Sequence, residues 1–228
     1  MTRKVCSMLL LFFAAVWALA QQAPPLQAPE NSPLKPPRGA RVALVVFEDL
    51  QCPDCARAAP LLEEAIRTYK IPLVRHDFPL QKHNWSKQAA ILARFFDTKS
   101  KKVGDEFRDY CFAHQPGNLG LTIQSPEDLR AQAEQFAAAH KIALPLSVDP
   151  QGVLQRKVET DQALGVSIGI SHTPTIYVVT NKVTGTPFVE VVDRSNLYQM
   201  IDEMIASTGG SAPAKSSTTK AAKTKSTT

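Results

Sequence analysis

Cys52 and Cys55 are separated only by Pro53 and Asp54. Two thiols at this spacing can exchange disulfides, supply half of a tetrahedral zinc site, or close a small inert loop. A zinc site needs two further ligands. The chain has no second Cys-x-x-Cys and no His pair at zinc spacing, so Cys111 with His114 is the one complement on offer. A loop this short constrains the unfolded chain little, which weakens the case for an inert staple. Exchange needs two unequal sulfurs, and the downstream residues supply the inequality. Pro53 suits the first position of a helix, where its missing N–H has no intrahelical partner. Cys55, Ala59, Leu62 and Ile66 then fall on one apolar stripe. The expectation is a buried Cys55 and an exposed Cys52 at the helix mouth. Free N–H groups there favour a thiolate, making Cys52 the attacking sulfur and Cys55 the resolving one.

The elements that must hold this pair are legible around it. Residues 41–47 form a Val-rich run that reads as a buried strand, and 53–69 read as the helix. A second strand is expected over 71–78, interrupted early by Pro72. Trp85, Ala89, Leu92, Ala93 and Phe96 lie at helical spacing. Ser125-Pro126-Glu127-Asp128 is a variant capping box, and Asp149-Pro150 is expected to open another helix in the same way. Residues 175–180 and 184–192 read as a strand pair across a turn at 181–185, and 194–207 as a closing helix with Leu197, Ile201, Met204 and Ile205 on one face. Strand, helix, strand, several helices, two strands, helix describes an α/β fold with a helical insertion over about 85–165.

The ends have a different character. Arg3 and Lys4 precede an apolar run over 8–20 that closes on Ala18-Leu19-Ala20, which predicts a signal peptide of residues 1–20 cleaved before Gln21. Residues 21–38 contain six prolines and read as an extended linker. Residues 209–228 are, apart from Gly209, Gly210 and Pro213, Ser, Thr, Ala and Lys with no large apolar side chain, the composition of a disordered tail. The net charge of +5 is smaller than the contribution of Arg3, Lys4, Lys215, Lys220, Lys223 and Lys225, so the folded region at 39–208 carries no basic excess for nucleic acid. An exported chain meets an oxidising compartment. The mature chain keeps three cysteines, which suits a reactive pair with one left over better than a disulfide framework. Cys111, in an aromatic helical segment, reads as a small buried hydrophobe.

The segment Phe47-Glu48-Asp49-Leu50-Gln51-Cys52-Pro53-Asp54-Cys55, with Pro60 beyond it, resembles the thioredoxin superfamily, and more narrowly its DsbA-like branch of exported bacterial oxidoreductases. Asp77-Phe78-Pro79-Leu80 with His83, and Gly165-Val166 with Thr173-Pro174-Thr175, resemble later segments of that branch in matching order. The resemblance implies a thioredoxin-like fold and disulfide exchange with protein substrates, with no metal or organic cofactor, in the periplasm or another extracytoplasmic space. It implies a redox partner that resets the dithiol, and contact with the membrane only during export. It also implies that Pro174 is a cis-proline facing the pair and that Thr173 offers its backbone to an extended substrate.

Three positions depart from the branch. Val46 stands where a buried glutamate is frequent, with Glu48 and Asp49 as the nearby carboxylates. Asp54 occupies the place of a histidine in strong oxidants; a carboxylate there is expected to raise the Cys52 pKa and make the pair less oxidising. His172 stands where glycine is common, either as a cation near Cys52 or as a surface histidine pointing away. The same dithiol would serve a reductase or isomerase, and a non-catalytic peptide-binding module would use the groove beside Pro174.

Overall fold

Seven consecutive buried residues, Val42–Glu48, make β1. Such an unbroken run belongs to a strand covered on both faces, and β1 lies inside a four-stranded sheet. It pairs in parallel with β2 (Leu73–Asp77) and antiparallel with β3 (Thr175–Thr180), which pairs antiparallel with β4 (Phe188–Glu190), giving the order β2-β1-β3-β4. The structure, a computed structural model, describes residues 34–116, 123–182 and 185–211. The expected signal peptide, most of the proline-rich segment, the middle of the 181–185 turn and most of the tail lie outside them.

Alternate β1 side chains build two cores. Val42, Leu44 and Val46 face α1 (Pro53–Tyr69) and the C-terminal helix through Ala58, Leu62, Leu197 and Ile201. Ala43, Val45 and Phe47 face Phe78, Ile170, Tyr177 and Val179 on the other side. Leu34, inside the segment read as linker, is buried in this second core. Between β2 and β3 run α2 (Ser86–Asp97), α3 (Lys101–Ala113), α4 (Pro126–Ala139) and α5 (Val153–Ser167). They enclose a third core, in which Phe96, Phe107 and Phe136 have ring centroids 4.6–5.1 Å apart. α5 returns to the sheet closely at Gly165, where a Cβ would stand 2.6 Å from the Phe78 ring.

Several boundaries differ from expectation for local reasons. Pro72 lies outside β2 and contributes its carbonyl, which accepts the Leu44 N–H. The Ser125–Asp128 capping box forms in both directions. Asp149, by contrast, does not start its helix directly. Gly152 takes the left-handed conformation at φ 67°, α5 begins at Val153, and the Asp149 carboxylate reaches forward to accept the Gln155 N–H at 2.7 Å. β4 is shorter than the 184–192 run because Pro187 has no N–H to give the ladder and Val192 turns out to solvent. The closing segment starts as a 3-10 turn, Arg194–Asn196, before α6 (Leu197–Ser207) buries Leu197, Ile201, Met204 and Ile205 as expected.

Candidate active site

Cys52 is the N-cap of α1, in extended conformation at φ −76° and ψ 120°. Pro53 occupies the first helical position, so the nearest backbone donors to the Cys52 sulfur are the N–H groups of Asp54 and Cys55. One turn on, α1 divides its faces. Ala58, Leu62 and Ala65 go to the sheet, while Cys55 and Ala59 enter the helical core. Both thiols are therefore walled by the insertion. Both are also buried, Cys52 at 7 % and Cys55 at 3 % exposure. The expected exposure of Cys52 is not found: Thr173 covers it, its carbonyl oxygen 3.3 Å from the Cys52 sulfur and placed to accept from the protonated thiol.

The inequality of the two sulfurs lies in their protonation. The Cys55 thiol donates to Cys52 and is the largest influence lowering the Cys52 pKa; burial works against it. The Thr173 hydroxyl, buried without a hydrogen-bond partner beside the thiol, gains an acceptor in the thiolate. With the Cys55 and Asp54 N–H groups these bring Cys52 from 9.0 down to about 5. Cys55 moves the other way: burial pushes it well up, reinforced by its bond to Cys52 and by the Glu48 charge. At neutral pH the pair is a thiolate held by a thiol. Cys111 is fully buried and pushed upward by burial, which suits a packing residue.

The loop carrying Cys52 is pinned from two sides. The buried Asp49 carboxylate accepts the N–H groups of Gln51 and Leu80, each at 2.7 Å, and lies 2.7 Å from His83 Nδ1. The Asp49 N–H points at the Cys55 sulfur, 3.5 Å away. Gln51 accepts the Trp85 N–H and donates to Asn84, tying the loop to the start of α2. From the end of α3, the buried Gln115 side chain donates to the carbonyls of Leu50 at 2.8 Å and Cys52 at 3.2 Å. Gln115 has no sequence signal; it follows an aromatic helix and belongs to no motif.

The departures noted above now have locations. Val46 lies on the α1 side of β1, in the sheet core. Glu48 is buried between Arg75, at 2.9 Å, and Arg108, at 3.5 Å. The Asp54 carboxylate is held by Arg194 at 2.8 Å and Arg57 at 3.1 Å, and Arg194 first, then Arg57, keeps it ionised below the usual carboxylate range. The expected upward pull of Asp54 on Cys52 is thus countered by arginines that the motif does not contain. His172 is exposed, with its carbonyl accepting the Thr175 hydroxyl; the loop residue set against the sulfur is Thr173. The Thr173–Pro174 peptide bond is cis.

The depressed Cys52 pKa fixes a pH dependence. Its thiolate stabilises the reduced fold fully above the unfolded thiol's pKa, and that stabilisation is lost as pH falls through about 5. The stability of the reduced protein relative to the oxidised one is therefore expected to grow between pH 5 and 9. Alkylation of the reduced protein should show one fast site with a midpoint near pH 5. A midpoint close to that of an ordinary thiol would contradict this geometry.

The thioredoxin family model matches residues 38–203, which covers the sheet, both cysteines and the insertion. A search of curated proteins finds no match. Among solved structures, the chain is similar to Pseudomonas aeruginosa DsbA2, with 23 % identity, TM-score 0.54, and coverage of 72 % of this chain and 89 % of that one. It is similar to the thiol-disulfide exchange protein alpha-DsbA2 from Wolbachia pipientis at 18 % identity and TM-score 0.58, covering 75 % and 85 %. A periplasmic thioredoxin-like protein from Salmonella enterica serovar Typhimurium matches at 20 % identity and TM-score 0.56, covering 72 % and 84 %. With sheet order, insertion and family match in agreement, the chain belongs to the thioredoxin family and has a DsbA-like fold.

Proposed function

We propose that this protein is an extracytoplasmic thiol–disulfide oxidoreductase that exchanges disulfides with protein substrates through Cys52 and Cys55. The observation that carries the reading is the placement of two thiols at the start of one helix, Cys52 at the N-cap against Thr173 and Cys55 buried behind it, which pushes their acidities in opposite directions. In the oxidised enzyme a substrate thiolate attacks the Cys52 sulfur. Cys55 leaves as the thiolate and takes a proton. A second substrate thiolate then attacks the substrate sulfur of the mixed disulfide, and Cys52 departs as the stabilised thiolate. Two electrons pass from substrate to enzyme, and a disulfide-bearing redox partner takes them back. A stabilised thiolate favours the reduced enzyme, so the geometry supports the oxidising direction over the reductase or isomerase alternatives. Thr173 and Pro174 form the wall on which an extended substrate segment would lie.

The extracytoplasmic placement rests on the apolar 8–20 run with its small-residue cleavage site, and is supported by the periplasmic relative. Among the described residues no helix is long and apolar enough to cross a membrane.

The test is stoichiometric. The oxidised protein, mixed with an unfolded polypeptide carrying two thiols, should oxidise it and itself become reduced, in equal amounts. A protein that neither oxidises such a dithiol nor reduces a peptide disulfide is not an oxidoreductase; binding of the same peptide without exchange would identify a peptide-binding module instead.

A further inference from the structure

Asp54 is the second helical residue of α1, two positions from the proposed nucleophile. A free carboxylate at that place would oppose a thiolate on Cys52 and compete with it for the helix N-terminus. It is not free. Arg194, 140 residues further along the chain, places Nη2 2.8 Å from Asp54 Oδ1 and Nη1 3.3 Å from the Asp54 carbonyl oxygen. One guanidinium thus holds both the charge of Asp54 and the backbone of the first helical turn. Its support is built in. Asp193 caps the Arg194–Asn196 turn by accepting the Ser195 N–H at 2.9 Å, and the fully buried Leu197 fixes the next residue after that turn. Arg57 also reaches Asp54 Oδ1, but from 3.1 Å and with 68 % of its side chain exposed against 34 % for Arg194, so it is the weaker, more screened partner.

We infer that Arg194 is a positioning residue for the dithiol, which holds the Asp54 charge away from Cys52 and leaves the helix N-terminus to act on the sulfur. This rests on the reading of Cys52 as the attacking sulfur. Asp54, Arg57 and Arg194 meet at this end of α1; Asp49, paired with His83, lies on the loop before Cys52, Glu48 acts from the Cys55 side, and His172 is exposed on the covering loop. The Cys52-Pro-Asp-Cys55 segment and Arg194 form one unit, in which an aspartate otherwise unfavourable to an oxidant is kept ionised and engaged.

The experiment is a pH titration of thiolate absorbance in the reduced full-length protein. Six proteins are compared: wild type, Asp54→Asn, Arg194→Gln, the Asp54→Asn/Arg194→Gln double variant, Arg194→Ala as a second neutral replacement and Arg194→Lys as the conservative one. Removing Arg194 should raise the Cys52 midpoint by about half to one unit, a size suited to a partly screened pair. In the Asp54→Asn background the same change should shift it by less than half as much, and Arg194→Lys should restore most of the wild-type value. An unshifted midpoint in both neutral variants, or equal shifts in the two backgrounds, overturns the inference. The titration needs no substrate. Coupling without disulfide exchange would sink the functional reading alone, and exchange without coupling would sink this one alone.

Discussion

Replacing Arg108 with methionine is expected to lower the folding stability of this protein by about 3–5 kcal/mol at neutral pH, the scale on which a buried ion pair fails when one partner is removed. Arg108 is carried by α3 of the insertion, and its side chain is 2 % exposed. One nitrogen donates to Asp77 Oδ1 at 2.6 Å and lies 3.5 Å from Glu48 Oε1, so a single guanidinium joins the insertion to the ends of β1 and β2. Burial alone would raise the Asp77 pKa; Arg108 first, then Arg94, reverses this and holds the carboxylate below its ordinary value. Arg75 holds Glu48 at 2.9 Å, and Arg94 also joins Asp77 to Asp161 of α5. Methionine fills similar space and carries no charge, so the loss reports the weakened compensation of Asp77 and Glu48, which keep Arg94 and Arg75, rather than a cavity. A depressed carboxylate stabilises the fold above its unfolded pKa and ceases to do so as pH falls through its folded pKa. The wild type should therefore lose this contribution on acidification, and its advantage over Arg108→Met should shrink toward pH 3. Denaturant melts at pH 7 and at acid pH measure both. A loss under about 1 kcal/mol at pH 7 would mean that the ion pairs contribute little beyond packing.

That network shows where sequence reading stops. The 41–47 run, the Cys55-Ala59-Leu62 stripe, the Ser125 box and the Leu197-Ile201-Met204-Ile205 face are local patterns, and each forms an element near the expected place. Arg75, Asp77, Arg94, Arg108 and Asp161 carry no such pattern. Their residue types are ordinarily exposed, and only the packing of α2, α3 and α5 on the sheet ends brings them together. The same limit applies at the site. The α1 stripe placed Cys55 correctly, but it says nothing of Thr173, 121 residues away, whose loop closes over Cys52. Asp54 was legible as a charge beside a thiolate, and its partner Arg194 was not, because the turn that carries it reads from sequence as the first turn of a helix. Short-range chemistry is visible in the residues themselves; the distant Thr173-Pro174 loop is indicated only by the family resemblance, and Arg194 by neither.

The two cysteines should fail differently when each is removed, and this contrast tests the mechanism more sharply than loss of activity. With Cys52→Ser, Cys55 is the one sulfur left in the pair. It is buried, its pKa is raised, and the Asp49 N–H already points at it. An ordinary thiol is only a few per cent thiolate at pH 7, and Cys55 lies above that class. Exchange should fall by at least about a hundredfold on that ground, with no substrate adduct. With Cys55→Ser the pair can no longer form its own disulfide, so dithiol oxidation stops. Cys52 still attacks a substrate disulfide, and with no Cys55 sulfur to displace the substrate a mixed disulfide on Cys52 accumulates that mass spectrometry detects and reductant reverses. The same substitutions probe the thiolate. Because the Cys55 hydrogen bond is the largest influence lowering Cys52, Cys55→Ala should move the alkylation midpoint upward from about 5, and Cys55→Ser, which keeps a donor, should move it less. Equal adduct formation in the two serine variants, or full exchange by Cys52→Ser, would show that the sulfurs do not have the assigned roles. An adduct confined to Cys55→Ser, together with an alanine shift larger than the serine shift, would tie the attacking role of Cys52 to the hydrogen bond its partner supplies.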